Sequence, residues 1–93
     1  MAYELGFWPP ADAAMKKLED DPAMSSVLAA VNRILDRLER DPFDPRLSTR
    51  AFVSQEYGGV NATAVREGDW YVLWQRGPDA TTIDVILVHE LAV

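Results

Sequence analysis

The single histidine of the chain, His89, is the side chain best suited to moving protons near neutral pH. It follows an apolar run and stands directly before Glu90. A histidine at this place either makes a structural hydrogen bond at the end of a strand or acts as a general acid or base. With no second histidine and no cysteine, the chain cannot form disulfides, thiolate sites or histidine-rich metal sites. We therefore expect neither a metal nor a cofactor.

Arginines concentrate in the middle of the chain. Arg33, Arg37 and Arg40 recur at spacings of four and three, which places them on one face of a helix, and Arg46 and Arg50 follow. The same stretch holds four carboxylates, so one interpretation is a solvated face of acid–arginine pairs. The other is a patch that binds phosphate groups. Arginine without lysine favours the planar recognition of phosphate or carboxylate.

Aromatic residues gather in the second half of the chain. Alternation places Trp70 and Trp74 on one face of a strand and Tyr71 on the other. Half of these rings then pack in a core and half lie at the surface. The functional alternative is that Tyr57 or Tyr71 stacks on a nucleic-acid base. The pair Gly58-Gly59 after Tyr57 predicts a loop.

The net charge of −6 is distributed unevenly over the 93 residues. Residues 1–32 carry two lysines and five acidic residues, and residues 33–66 carry six arginines and five acidic residues. Residues 67–93 carry one arginine and five acidic residues. The overall balance argues against binding long nucleic acid by bulk charge, so any phosphate contact is expected in the middle third.

Apolar periodicity predicts a first strand and two helices. The strand covers residues 3–7, and the first helix runs from about residue 10 to 20. Asp21 and Pro22 are suited to the cap and first position of a second helix that ends near Arg40. Its apolar residues recur at spacings of three and four over about four turns.

The remainder of the chain predicts strands joined by tight turns. The expected strands lie at residues 60–66, 70–75 and 82–88, and residues 51–53 form another short strand or the beginning of one. Helices first and strands later predict an α+β fold of order β-α-α-β-β-β. The helical hairpin should pack on one face of a mainly antiparallel sheet, in a single domain spanning residues 1–93.

No segment of the sequence predicts insertion into a membrane. The longest unbroken apolar run covers residues 70–74, whereas a spanning helix needs about 20 apolar residues. The N-terminal residues lack the basic start and apolar stretch of a signal peptide. We therefore expect a cytoplasmic protein with no membrane partner.

The order of these segments and their local sequences resemble the RelE/ParE superfamily of small bacterial toxins along nearly the whole chain. The most specific match is the hairpin Val65-Arg66-Glu67-Gly68-Asp69-Trp70-Tyr71-Val72-Leu73-Trp74, which looks like the family's Arg-Val-Gly-Asp-Tyr-Arg-Val-Ile-Tyr. Three further segments resemble the family's opening strand and first helix start, the end of its second helix and its closing strand: Tyr3-Glu4-Leu5-Gly6-Phe7 with Pro9-Pro10-Ala11, Leu35-Asp36-Arg37-Leu38-Glu39-Arg40-Asp41-Pro42, and Val85-Ile86-Leu87-Val88-His89.

The resemblance implies the toxin of a type II toxin–antitoxin system. A cognate antitoxin would neutralise it by wrapping a helix or strand over it, and homodimers or toxin–antitoxin hetero-oligomers are the implied assemblies. RelE-like members cleave mRNA on the ribosome by driving the 2′-hydroxyl onto its own phosphate. ParE-like members instead inhibit DNA gyrase and carry no comparable nuclease site.

In the RelE-like case, the resemblance implies a role for each candidate residue. Arg66 would stabilise the phosphate, His89 would act as acid or base, and Tyr71 or Tyr57 would stack on or position a base. The implied nucleic-acid contacts are made by the remaining candidates, Arg33, Arg37, Arg40, Arg50 and Tyr57.

Three positions depart from the family pattern. The hairpin has Ala64 and Tyr71, and the closing strand has Glu90, where arginines are common in the family. A site that cleaves phosphodiesters needs positive charge near the reacting oxygens. These departures leave two alternatives open besides RNA cleavage: a ParE-like gyrase inhibitor, and a toxin-fold protein without activity that serves as an interaction module.

Overall fold

Two α-helices and five strands make up residues 2–91, the part of the chain that the computed structural model describes. In chain order they are β1 (Glu4–Phe7), α1 (Pro9–Asp20), α2 (Ser25–Arg40), β2 (Thr49–Ser54), β3 (Gly58–Val65), β4 (Trp70–Arg76) and β5 (Thr82–Glu90). The predicted fold class, a helical hairpin on one face of a mainly antiparallel sheet, is confirmed. The segment around residue 51 is a full strand, so four strands follow the helices.

The second helix begins later than its sequence predicts. Asp21 accepts a hydrogen bond from the backbone N–H of Ala23 at 3.0 Å, which caps a single 3₁₀ turn over Pro22–Met24. The α-helix itself starts at Ser25. The cap is therefore where the sequence places it, but it closes a tighter turn that lies ahead of α2.

The strands form one sheet in the order β1-β5-β4-β3-β2. β1 runs parallel to β5, and every other neighbouring pair is antiparallel. The prediction of a loop at Gly58-Gly59 is wrong, because these glycines begin β3 and pair with Ser54 and Val53. The turn lies at residues 55–57, and Gly58 adopts a φ of 77° as the chain enters the strand.

The helices cover one face of the sheet and form the main core with it. Apolar side chains of α1 and α2 that recur every three or four residues pack against the strands. On the sheet side this core comprises Val65, Val72, Trp74, Ile83, Val85 and Val88. Each fully buried side chain of this size stabilises the fold by about 1.5–3 kcal/mol relative to an exposed one.

A buried hydroxyl provides a polar contact within this core. The indole N–H of Trp74 donates to Thr63 Oγ1 at 2.9 Å, and that oxygen lies 2.8 Å from Thr49 Oγ1. Because the Thr63 hydroxyl accepts from the tryptophan, Trp74 can be buried without an unpaired donor. The contact joins β2, β3 and β4 on the helix-covered face.

The opposite face of the sheet is shaped by a bulge in β5. Leu73 pairs with Leu87 and Trp74 pairs with Val85, so Ile86 is an extra residue. Ile86 and Leu87 consequently both belong to a small apolar cluster on the open face. Ile86 is fully buried on this face.

Candidate functional site

A groove of about 980 Å³ runs across the open face of the sheet. We call it the sheet groove. Strands β2 to β5 form its floor, and the loop before β2 and the residue after β5 form its ends. Its lining residues are Pro45, Leu47, Ser48, Thr49, Arg50, Phe52, Ala62, Ala64, Tyr71, Leu73, His89, Glu90 and Leu91.

His89 and Tyr71 stand side by side in the sheet groove. They are direct partners across β4 and β5, and their ring centroids lie 6.3 Å apart with a tilt of 41°. His89 Nδ1 lies 2.7 Å from the backbone oxygen of Glu90. Since a carbonyl oxygen only accepts, this contact assigns the proton of the neutral ring to Nδ1. The other ring nitrogen, Nε2, is then unprotonated and suited to accept a proton.

Arg50 supplies positive charge to the same groove. It pairs with Ala62 across β2 and β3, and Ala64 pairs with Tyr71 across β3 and β4. The two alanines share one face of β3, and their small side chains leave the groove open between Arg50 and the rings. Within residues 2–91, Arg50 forms no ion pair, so its guanidinium is available to a ligand.

A second concavity, of about 300 Å³, lies where α2 meets the end of β3. We call it the arginine hollow. It adjoins the sheet groove, because both are lined by Leu47, Ser48 and Ala64. Four arginines from three parts of the chain line it: Arg33, Arg37, Arg46 and Arg66.

Asp44 holds two of these arginines in place. It accepts a hydrogen bond from Arg46 Nη2 at 2.8 Å, and Arg37 Nη1 lies 3.8 Å from the same carboxylate oxygen. Hydrogen bonds from the Arg46 side chain and backbone, with the charges of both arginines, lower the pKa of Asp44 to about 2. The same carboxylate raises the pKa of Arg46. The pair of Asp44 and Arg46 therefore stays ionised at any physiological pH.

The candidate residues fall into separate groups. The structure brings Tyr71, His89 and Arg50 together in the sheet groove. Arg66 does not line that groove and instead lies in the arginine hollow, with Arg33 and Arg37 from α2. The two groups meet only along the border that the groove and the hollow share.

Arg40 and Tyr57 lie outside both concavities. Arg40 lines a neighbouring surface depression together with three carboxylates: Asp36, Asp41 and Asp44. The ring of Tyr57 packs edge-to-face on Trp8 with centroids 5.9 Å apart, and it covers the small cluster of the open face. Desolvation, and then the nearby Glu56, raise the pKa of Tyr57. Its ring is therefore engaged in packing.

Sequence reasoning did not assign the apolar lining of the groove or the role of Arg46. Phe52 and Leu91 are half exposed there, at 45% and 49%. Alternation in β3 places Ala62 and Ala64 on the face of Tyr71, and that signal was sufficient to predict an open space beside the ring. The contribution of Arg46 depends on the fold of the 41–48 loop, which apolar periodicity does not describe.

Two further properties bear on function. Neither helix within residues 2–91 has the length and hydropathy required to cross a membrane. Over the same residues, no group of three or more His, Asp or Glu side chains is placed to hold a metal ion.

Known structures share this architecture over nearly the full chain. A YoeB/ParE toxin from Agrobacterium tumefaciens matches with a TM-score of 0.76 and 10% identity, over 96% of this chain and 99% of that one. The YoeB dimer from Staphylococcus aureus gives 0.75 and 12% over 99% and 100%. The RelBE2 toxin–antitoxin complex from Mycobacterium tuberculosis gives 0.65 and 22% over 98% and 100%.

These similarities concern the fold. No family model and no curated protein sequence matches the chain. The resemblance noted in the sequence is confirmed at the level of architecture: two helices on a five-stranded sheet, as in the RelE, YoeB and ParE toxins.

Proposed function

We propose that this chain is the toxin of a toxin–antitoxin pair and that its sheet groove cleaves RNA. One observation supports the proposal above all others. Within a fold shared with RelE and YoeB toxins, the groove gathers an imidazole, a phenol and an unpaired guanidinium: His89, Tyr71 and Arg50. A cognate antitoxin is the proposed partner, since solved complexes of this fold include RelB antitoxins.

The proposed reaction uses the 2′-hydroxyl of the substrate as the nucleophile. His89 Nε2 takes the hydroxyl proton, and the freed oxygen attacks the adjacent phosphorus. The bond from phosphorus to the 5′ oxygen breaks, and a water molecule protonates that oxygen. The hydroxide that remains takes the proton from the His89 imidazolium, which restores the water and the neutral base. The products are a 2′,3′-cyclic phosphate and a 5′-hydroxyl end, so atoms and charge balance without any cofactor.

Arg50 and Tyr71 have supporting roles in this mechanism. The Arg50 guanidinium stabilises the charge that develops on the phosphate, the role that the sequence resemblance implied for Arg66. The Tyr71 ring, next to His89, positions a base of the RNA by stacking. Arg33 and Arg37 lie too far along the surface to line the groove, and they contribute at most to holding the complex.

Primer extension on translating ribosomes tests this activity. The purified chain should cut mRNA, and His89→Gln should lower the rate by about 100-fold or more, because glutamine forms hydrogen bonds but is not a base. Lys16→Gln, on the exposed surface of α1 where Lys16 pairs with Asp12, is the matched control and should cut at the wild-type rate. Wild-type protein that is folded yet leaves the mRNA intact would refute the cleavage mechanism.

A second candidate is a toxin that binds its target without chemistry, such as a gyrase inhibitor. Its supporting observation is the charge of the groove: among the lining residues of the described chain, Arg50 is the one arginine and Glu90 is the one carboxylate. A supercoiling assay with DNA gyrase distinguishes the two candidates. Unchanged supercoiling at a large excess of this chain would count against the second one.

The toxin assignment has its own test, independent of the target. Expression in a bacterial host without an antitoxin should arrest growth, and co-expression of the antitoxin from an adjacent gene should restore it. Normal growth with abundant folded protein would contradict the toxin role, and the chain would then be an interaction module.

A further inference from the structure

We propose that the arginine hollow binds an acidic peptide segment that carries one apolar anchor between two carboxylates. The anchor would enter the hollow, and the carboxylates would pair with the arginines around it. The proposal stands apart from RNA cleavage, because none of the four arginines of the hollow lines the sheet groove.

The base of the hollow is apolar and the rim is cationic. Side chains of Ala30, Ile34, Leu47 and Val65 belong to the lining, and the last three come from α2, the loop before β2 and the end of β3. Ile34 remains half-buried, so apolar surface is left for a ligand to cover. A volume of about 300 Å³ accommodates one aliphatic side chain with part of its backbone.

The charges of the rim leave two arginines available. Asp44 is shared by Arg37 and Arg46, whereas Arg33 and Arg66 make no ion pair within residues 2–91. Glu67 is the one carboxylate among the lining residues of the described chain. Arg33 and Arg66 can therefore each receive a carboxylate through two parallel N–H donors.

A peptide suits this site better than a nucleic acid does. No aromatic ring is among its lining residues in the described part of the chain, so a base would find nothing to stack on. Sugar and phosphate groups would leave the apolar base of the hollow uncovered. The net charge of −6 also repels a long polyanion more than a segment with two carboxylates.

An extended segment has a suitable spacing. Side chains at i and i+2 of a strand point to one side, so in Glu-x-Leu-x-Glu each acid lies about 6.6 Å from the leucine and about 13 Å from the other acid. The two available arginines stand on different elements around the apolar base, since Arg33 lies in α2 and Arg66 follows the end of β3. The leucine would then enter the hollow while the acids on either side of it pair with arginines of two different elements.

The experiment uses the acetylated and amidated peptide Gly-Glu-Ser-Leu-Ser-Glu-Gly as the probe. Backbone amide shifts of the full chain are followed by two-dimensional NMR as the peptide is added. Shifts should concentrate in residues 30–37, 46–48 and 64–67. Replacing both glutamates by glutamine, or the leucine by serine, should weaken binding about tenfold or more, since a carboxylate pair or a buried leucine contributes that much.

Matched variants locate the site on the protein. The double variant Arg33→Gln/Arg66→Gln should lose about tenfold or more in affinity, whereas Lys17→Gln should bind as the wild type does. Both arginines are exposed, and the NMR spectrum itself shows whether the variant is folded.

Two results would overturn the inference. One is the absence of peptide-induced shifts at the hollow, with the wild-type chain folded. The other is tighter binding of hexauridylate or inorganic phosphate than of the peptide, with the same dependence on Arg33 and Arg66, which would make the hollow a phosphate site. Neither result bears on RNA cleavage, which primer extension measures separately.

Discussion

Both faces of the sheet carry apolar side chains, yet helices cover only one of them. On the covered face Val72, Trp74 and Val85 are buried completely or almost so. On the open face Phe52 keeps 45% of its surface exposed, and Leu91 keeps 49%. Apolar surface that the chain itself does not cover is typical of binding sites, whereas fully packed surface serves stability. The covered face therefore stabilises the fold and the open face is available for binding. Mutations on the two faces should accordingly differ in their effect on stability.

The largest difference is expected between Leu38→Ala and Phe52→Ala. Leu38 is fully buried in α2, so its truncation leaves a cavity and should lower the free energy of unfolding by about 3 kcal/mol. Phe52 lies on the edge strand of the open face, and its truncation should cost less than about 1 kcal/mol. Urea denaturation of both variants measures the difference. Equal losses would mean that the open face is part of the core.

A smaller difference should separate the two threonines that meet at the covered face. Thr63→Val removes the acceptor of the Trp74 indole N–H, which then stays buried without a partner, at a cost of about 2 kcal/mol. Thr49→Val removes a hydroxyl from an exposed residue and should cost about 0.5 kcal/mol. Thermal and urea unfolding compare the two. A loss from Thr49→Val as large as that from Thr63→Val would contradict the role of Thr63 as the acceptor that the buried Trp74 indole requires.

The fold was largely predictable, because apolar periodicity reports directly on the covered face. The stripes of both helices and the alternation of Trp70 and Tyr71 predict which side chains meet in the core. The predicted bounds of helices and strands are wrong where the local sequence is compatible with two different structures. Asp21 and Pro22 suit either an α-helix or a 3₁₀ turn, and Gly58-Gly59 suits either a loop or the start of a strand.

The candidate site was predictable only in part. Direct pairing of neighbouring strands places His89 beside Tyr71, and sequence order alone suggests that pairing. Arg50 and Arg66 are separated by the way β2 pairs with β3, and register depends on the turn at residues 55–57 rather than on any pattern within the strands. The same limit applies to Arg46, which the 41–48 loop turns toward α2.

The smallest effect on stability is expected at Asp44, whose carboxylate joins the 41–48 loop to Arg37 of α2. Its lowered pKa of about 2, against an ordinary 3.8, means that the folded state prefers the ionised form. This contribution to stability is complete well above pH 3.8 and is lost as the pH falls toward about 2. The difference in unfolding free energy between the wild type and Asp44→Asn should therefore shrink steadily in acid. Urea unfolding over a pH series measures it.

The cause of that pH dependence can be tested by a double-mutant cycle. Hydrogen bonds from Arg46 are the largest cause of the lowered pKa, so in an Arg46→Gln background the acid-dependent difference between Asp44 and its asparagine variant should become much smaller. A difference of the same size in both backgrounds would instead assign the effect to the backbone N–H of residue 46, which the variant keeps, and to Arg37, whose Nη1 lies 3.8 Å from the carboxylate. Arg37 would then be the side chain that ties the loop before β2 to α2 through Asp44.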